Sequence, residues 1–146
     1  MSVFQKSVLL DAPVDKVFAF HERPDALALL SPAFPPVRMI SRTGKGIDAG
    51  SRIELQVGPF HWVALHTVYE KNRLFVDEQV EGPFAAWRHR HEFEAIGNNQ
   101  TRLTDRIEYQ LPGGSLVNSM FGWTVKLGLR NMFAHRHRVT QKAVRA

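Results

Sequence analysis

Residues 115–142 read SLVNSMFGWTVKLGLRNMFAHRHRVTQK, and this stretch decides the fold. Its pattern predicts one helix of about seven turns, since a helix repeats every ~3.6 residues. Apolar residues lie on two stripes instead of one: Leu116, Met120, Trp123 and Leu127 on the first, and Val117, Phe121, Val125, Leu129 and Met132 on the second. A helix that is apolar over so much of its circumference cannot rest on a flat sheet with its back in water. We therefore expect a curved sheet around it, or a ligand or second subunit against one stripe.

The chain before this helix predicts strands joined by short turns. A first strand at residues 3–10 leads through Pro13 into one short helix, and Asp25 is a candidate cap for another. Six further strands are predicted at residues 37–42, 52–57, 60–70, 74–80, 85–95 and 101–111. Hairpin-connected strands form antiparallel sheets. The fold class is therefore α+β: a curved antiparallel sheet of six to seven strands around a long C-terminal helix, which Ser115 is expected to cap, in a single domain over residues 1–146.

Composition bounds the functions that need consideration. The 146 residues contain no cysteine, which excludes disulfides, thiolate metal sites and a cysteine nucleophile. No apolar run approaches the roughly 18 residues that span a bilayer, so we expect a cytoplasmic protein without a transmembrane segment. The net charge of +5 is concentrated near the C-terminus, where residues 135–138 read HRHR. We interpret that run as a solvated helix end whose cations complement the helix dipole.

Polar side chains occur where the strand pattern predicts an inward face. In residues 87–93, WRHRHEF, the aromatic rings of Trp87 and Phe93 share a face with His89 and His91. By the same alternation Asp105 lies with Leu103, Ile107 and Tyr109, Asp77 lies with Phe75, and His66 lies with Trp62, Ala64 and Val68. Five polar groups, His66, Asp77, His89, His91 and Asp105, are thus predicted to converge inside. Left unpaired, each would cost about 1–3 kcal/mol.

Three interpretations of this cluster remain open at the level of sequence. It is a satisfied buried network without chemistry, the polar end of an otherwise apolar pocket, or a site for acid–base or metal chemistry. Histidines two apart on a strand can converge on a metal, but no strict ligand signature such as His-Glu-x-x-His is present. We expect no metal and no other cofactor. If a reaction is catalysed, the candidate residues are His89, His91 and Asp105.

Several stretches resemble the START / polyketide-cyclase / birch-pollen-allergen superfamily, and in particular a bacterial branch of ligand-binding, cyclase-like proteins. They are residues 7–21 (SVLLDAPVDKVFAFH), 75–84 (FVDEQVEGPF), 87–93 and 103–112 (LTDRIEYQLP). The resemblance covers essentially the whole chain and implies the helix-grip fold. It also implies binding or transport of lipids, polyketides, quinones or similar molecules, with enzymatic activity in some members. The superfamily has no universal catalytic motif, so no catalytic residue is carried over by position.

Our leading hypothesis is a protein that binds a small hydrophobic ligand between sheet and helix. Its expected pocket walls are Trp62, Trp87, Phe93, Tyr109, Phe121 and Val125, and the groups that orient the ligand are His66, Asp77, His89, His91 and Asp105. The first alternative is a cyclase, dehydratase or hydrolase of polyketide-like substrates that uses a His/Asp pair. The second is a basic binder of nucleic acid or anionic membrane, which we do not favour because the aromatic residues face inward. A homodimer is included among the expected partners.

Overall fold

The computed structural model describes residues 1–33 and 35–145, so Phe34 and Ala146 of the predicted domain lie outside the described residues. The elements in chain order are β1 (Ser2–Leu10), α1 (Val14–Glu22), α2 (Ala26–Leu30), β2 (Val37–Thr43), β3 (Arg52–Val57), β4 (Phe60–Glu70), β5 (Leu74–Glu81), β6 (Ala86–Ile96), β7 (Gln100–Gln110) and α3 (Gly114–Val144). The strands form one antiparallel sheet in the order β1-β7-β6-β5-β4-β3-β2. The predicted curved sheet, long C-terminal helix and two short helices after β1 are therefore confirmed.

The elements begin and end where local chemistry dictates. Asn72 and Gly97 take positive φ angles of 63° and 66° in the turns after β4 and β6, a conformation that Asn and Gly tolerate best.

The predicted helix caps differ from the observed ones. The Asp25 carboxylate pairs with Arg23 at 2.7 Å and does not cap α2. The helix α3 begins at Gly114 after Gly113, whose left-handed φ of 100° reverses the chain, so Ser115 lies inside the helix.

Two apolar clusters hold the helices onto the sheet. The first packs α1 and the end of α3 against the sheet through Leu10, Val17, Phe18, Phe75, Phe93, Leu103 and Val144, all buried. The second joins β7 to the middle of α3 through Ile107, Tyr109, Leu129 and Phe133. The Tyr109 hydroxyl donates to the Gly122 carbonyl at 2.9 Å, which satisfies a polar group inside this second cluster.

An irregularity in β4 changes which side chains face inward. The pairing of β4 with β5 shifts between His66 and Val68. A bulge of this kind inserts a residue and reverses the face of the side chains beyond it. As a result Tyr69, and not the predicted Val68, packs against the first cluster, with its ring centroid 5.7 Å from that of Phe18.

The two predicted stripes of α3 have different surroundings. The inward face carries Leu129, Phe133, His137, Thr140 and Val144, all buried, so the sheet grips the C-terminal half of the helix. The first stripe is exposed; Leu116 is 71% and Trp123 is 61% accessible to solvent. Among the described residues, no helix combines the length and the apolar character that a membrane crossing needs. The homodimer stays a prediction.

Candidate functional site

A cavity of about 690 Å³ lies between the sheet, α2 and α3. Most of its wall is apolar, contributed by Leu30, Ile53, Leu55, Val57, Trp62, Ala64, Phe84, Trp87, Val125, Leu129, Met132 and Phe133. Trp62, Phe84 and Trp87 form an aromatic group with ring centroids 4.8–5.8 Å apart. Phe60 also borders the cavity and is 51% exposed, so the cavity meets the surface near the start of β4.

Strand register brings four polar side chains together further along β6. In the β5–β6 pair Asp77 lies opposite His89, and in the β6–β7 pair His91 lies opposite Asp105. All four point to the same face of the sheet and line the cavity, and His89, His91 and Asp105 are buried. The sheet therefore sets an alternating row of carboxylates and imidazoles at one end of an apolar space.

The row is hydrogen-bonded through two carboxylates. The Asp105 carboxylate contacts His89 Nε2 at 2.8 Å and His137 Nε2 at 2.7 Å, and its Oδ1 lies 3.4 Å from His91 Nδ1. The Asp77 carboxylate contacts His91 Nε2 at 2.8 Å. The His89 and His91 rings stack with centroids 3.6 Å apart. Each carboxylate thus joins neighbouring elements, and we name the set Asp77, His89, His91, Asp105 and His137 the His/Asp cluster.

Two members of this end of the cavity come from α3 and were not predicted. Arg136 and His137 belong to the basic run that the sequence suggested was solvated, yet both line the cavity. The guanidinium of Arg136 lies 5.2 Å over the Phe133 ring, and its Nε is buried with no hydrogen-bond partner among the described residues. The buried position of His137 could have been predicted from helical spacing. One stripe of the helix continues through Leu129, Phe133, His137, Thr140 and Val144.

Burial and hydrogen bonding shift the pKa values of the cluster in opposite directions. Burial opposes ionisation of Asp77 and Asp105. The hydrogen bond from His91 nevertheless lowers the pKa of Asp77 to about 2, and those from His137, His89 and His91 hold the pKa of Asp105 well below its usual range. Burial lowers the pKa of His89, whereas bonds to both carboxylates outweigh burial and raise the pKa of His91. Both carboxylates are therefore ionised at neutral pH.

Two further histidines border the cavity. His66, which was predicted to face inward, is buried and contacts the Ser51 carbonyl at 3.3 Å through Nδ1; burial lowers its pKa. His21 on α1 donates from Nδ1 to the Val17 carbonyl at 2.9 Å, because a carbonyl can only accept. Burial lowers the pKa of His21 to about 4.

The neutral state of His21 makes folding sensitive to acid. Its folded pKa of about 4 lies below the ordinary histidine value of 6.5, so the unfolded chain binds more protons between these values. Stability should fall as pH falls from 6.5 toward 4, by up to ~1.4 kcal/mol per pH unit for one proton. In urea unfolding across this range, His21→Gln, which keeps a donor and loses the titration, should show a shallower decline than the wild type. Identical pH profiles would contradict this account of His21.

The predicted wall residues divide into two groups. Trp62, Trp87 and Val125 line the cavity, as do all five predicted polar groups, His66, Asp77, His89, His91 and Asp105. The other three, Phe93, Tyr109 and Phe121, do not. Phe93 packs under α1 in the first cluster, Tyr109 is buried against α3, and Phe121 is 51% exposed on the outer side of the helix. Alternation along a strand selects the inward face, but it does not separate cavity wall from solid core.

A curved antiparallel sheet gripping a long helix, with a cavity between them, defines the helix-grip architecture of the START superfamily. The chain belongs to the polyketide cyclase / dehydrase and lipid transport family, whose model matches residues 10–138. No curated protein matches the chain significantly in sequence.

Solved structures share this fold at low sequence identity. A START superfamily protein from Mycobacterium smegmatis is 16% identical with a TM-score of 0.69, covering 97% of this chain and 96% of its own. The Zhui aromatase/cyclase from a Streptomyces species is 12% identical with a TM-score of 0.74, and the match covers 98% of this chain and 93% of the cyclase. Norcoclaurine synthase from Thalictrum flavum, in complex with dopamine and hydroxybenzaldehyde, is 15% identical with a TM-score of 0.72, covering 98% and 86%. At these identities the similarity establishes the fold.

Proposed function

We propose that the protein binds a small hydrophobic molecule that carries one polar group, in the cavity between the sheet and α3. The observation that carries this proposal is the uneven chemistry of the cavity. An apolar wall with an aromatic group at one end meets the His/Asp cluster and Arg136 at the other. Ligand sites typically combine apolar walls with a few converging polar groups that fix orientation.

The size of the cavity limits the ligand class. A volume of about 690 Å³ lies inside the roughly 300–1,000 Å³ range of small-molecule sites. It accommodates one molecule with several fused rings or a medium-length acyl chain. Lipids, polyketides and quinones are candidate classes of this size. The family description names polyketide cyclases and lipid transport, and the plant synthase holds two small aromatic molecules.

Arg136 gives the ligand's polar group a partner. Its side chain makes no hydrogen bond or ion pair with any described residue, and its Nε is buried. Burial also lowers the pKa of Arg136, so an unpaired guanidinium at this position is unfavourable. A carbonyl, hydroxyl or carboxylate of the ligand would accept a hydrogen bond from Nε. The polar end of the ligand is therefore expected beside α3.

Native mass spectrometry of protein purified from cells tests the binding proposal. The expected spectrum contains chains with one small molecule each, which organic solvent extracts and which partitions as a hydrophobic compound. A library of lipids, polyketides and quinones added to stripped protein should yield at least one binder with the same stoichiometry. Protein that carries no such molecule and binds none of the library would count against the proposal.

A cyclase-type reaction on the bound ligand is the second candidate, and the orientation of His89 favours it. Its Nε2 donates to the Asp105 carboxylate, which leaves Nδ1 to accept a proton from a ligand in the cavity. Burial lowers the pKa of His89, so the ring is neutral and able to act as a base at neutral pH.

Proton abstraction can be measured without knowing the natural substrate. A β-ketothioester in D₂O should exchange its α-protons for deuterium faster with the wild type than with His89→Gln, as followed by NMR. His61→Gln, on the outer side of β4, is the control and should exchange like the wild type. Equal exchange in all three proteins would exclude this base.

A further inference from the structure

Three donor atoms of the His/Asp cluster converge on one point beside the cavity. Asp77 Oδ2 lies 2.8 Å from His91 Nε2 and 3.9 Å from His89 Nδ1. One ligand atom from each of these three residues lies within 4.8 Å of those of the other two. The convergence follows from strand register, since Asp77 is paired with His89 and the side chain of His91 lies two residues further along the same face.

The hydrogen bonds to Asp105 fix which nitrogens carry protons. An ionised carboxylate only accepts, so His89 must donate to it from Nε2, and His89 Nδ1 is left as a lone pair. His91 lies between two carboxylates, with Nε2 on Asp77 and Nδ1 at 3.4 Å from Asp105. With a proton on each nitrogen, His91 donates to both carboxylates, and a metal ion on Nε2 would replace one of these protons.

A second proton on His91 and a bound metal ion differ in how many of these donor atoms they satisfy. A second proton on His91 would satisfy that ring alone. It would leave His89 Nδ1 without a partner, because no described residue donates to this nitrogen and its polar neighbour at 3.9 Å, Asp77 Oδ2, is another acceptor. A metal ion bound at the point of convergence satisfies Asp77, His89 and His91 together.

We propose that Asp77, His89 and His91 bind one divalent transition-metal ion, and that Asp105 is the carboxylate that orients both histidines. The inference goes beyond the proposed function and does not depend on the hydrophobic ligand. It also departs from our expectation of no metal, which rested on the lack of a linear ligand motif. The antiparallel register places the third ligand on a neighbouring strand, where no linear motif records it.

The geometry and donor set fit such an ion. Metal–ligand distances of about 2.0–2.2 Å in a tetrahedral site correspond to donor–donor separations of roughly 3.4 Å. The observed 2.8 and 3.9 Å lie on either side of that value, so small side-chain rotations suffice. Two imidazoles and one carboxylate are typical ligands of Zn²⁺ and Fe²⁺, whereas Mg²⁺ and Ca²⁺ prefer oxygen.

The surroundings also match a metal centre. Histidine ligands usually donate their second N–H to a carboxylate, and Asp105 lies within reach of the second nitrogen of both histidines. Its other oxygen accepts from His137 Nε2, which holds the carboxylate in place. All three proposed ligands line the cavity, so the remaining coordination positions would face it. A metal there would take the lone pair of His89 Nδ1 and so replace its role as a base.

Titration with Co²⁺ tests the proposal, because its visible spectrum reports coordination. Untagged protein is stripped with EDTA, dialysed and titrated with Co²⁺ and then with Zn²⁺. We expect one Co²⁺ per chain, with the intense visible bands of low-coordinate Co²⁺, and stoichiometric displacement by Zn²⁺. Asp77→Asn should weaken Co²⁺ binding by more than about 100-fold, because loss of an outer carboxylate alone typically costs 10–100-fold. The loss of Co²⁺ affinity in Asp105→Asn should lie within that range of about 10–100-fold.

His61→Gln is the matched control. His61 also lies between two carboxylates, Glu54 and Glu81, but in a half-exposed position outside the cavity. Its loss should leave Co²⁺ binding unchanged. Circular dichroism in EDTA establishes that each variant is folded. The proposal is overturned if the folded wild type binds Co²⁺ only substoichiometrically, or if folded Asp77→Asn binds Co²⁺ as tightly as the wild type. Binding of the hydrophobic library in EDTA is scored separately, so failure of one proposal does not decide the other.

Discussion

Replacing Asp105 by alanine is expected to lower the free energy of unfolding by about 3–5 kcal/mol, the loss typical when one partner of a buried ionic network is removed. Asp105 is 5% exposed and accepts from His89 and His137. Its removal leaves both rings buried without their acceptor and leaves the charge of Arg136 less compensated. Urea unfolding in EDTA at pH 7 measures the change without any contribution from a bound metal.

Two comparison variants separate the network from general effects of mutation. Asp105→Asn keeps the shape of the side chain and one acceptor oxygen. Its free energy of unfolding should therefore fall by less than that of the alanine variant. Asp25→Ala removes a carboxylate whose one ion-pair partner among the described residues is the exposed Arg23, and it should leave stability nearly unchanged. An Asp105→Ala protein as stable as the Asp25→Ala protein would show that the buried hydrogen bonds do not stabilise the fold.

Replacing Gly128 by leucine is expected to weaken binding of 1-anilinonaphthalene-8-sulfonate by about 5- to 100-fold. Gly128 lines the cavity from α3, and a Cβ placed there meets no atom within 4 Å. A leucine side chain would therefore extend into the cavity, where we place the proposed ligand. Overpacking of this kind costs about 1–3 kcal/mol, and each 1.4 kcal/mol is a tenfold change in affinity. The rise in probe fluorescence on binding measures the change.

Gly128→Ala is the matched control for this prediction. Its single methyl group leaves most of the cavity open, so affinity for the probe should remain close to that of the wild type. The helix should also become more stable by about 0.5–1 kcal/mol, because alanine replaces glycine inside a helix. A probe that bound instead to the exposed Trp123 stripe would be insensitive to both substitutions. Equal affinity in all three proteins would contradict placement of the ligand in the cavity.

The fold could be predicted because its strongest signals are local. Alternating strands with turn residues between them predict an antiparallel sheet, and the two apolar stripes of residues 115–142 predict that the sheet is curved. The inward orientation of His66, Asp77, His89, His91 and Asp105 follows from the same alternation, and each of them does line the cavity. The hydrogen-bond partners of these side chains depend on strand register. The sequence does not specify that register without a turn of known geometry, so the partners could not be predicted.

The parts that were missed depend on tertiary contacts. Arg136 and His137 lie in a basic run, and composition alone favours solvent for such residues, although helical spacing places His137 on the buried stripe. The bulge in β4 places Tyr69 instead of Val68 on the inward face. It was not predicted, because it depends on the pairing of β4 with β5 and not on the residues of β4 alone. Phe121 has the apolar character of a pocket residue but is 51% exposed to solvent.

Anomalous diffraction from crystals soaked with 6-bromo-2-naphthol tests ligand binding in the cavity, because the bromine marks one end of the molecule and the hydroxyl the other. We expect a single strong bromine peak near Trp62 and Trp87, with the hydroxyl directed toward Arg136 and the His/Asp cluster. A bromine peak found only on the exposed stripe of α3, with no peak inside the cavity, would contradict it. So would a molecule bound in the reverse orientation.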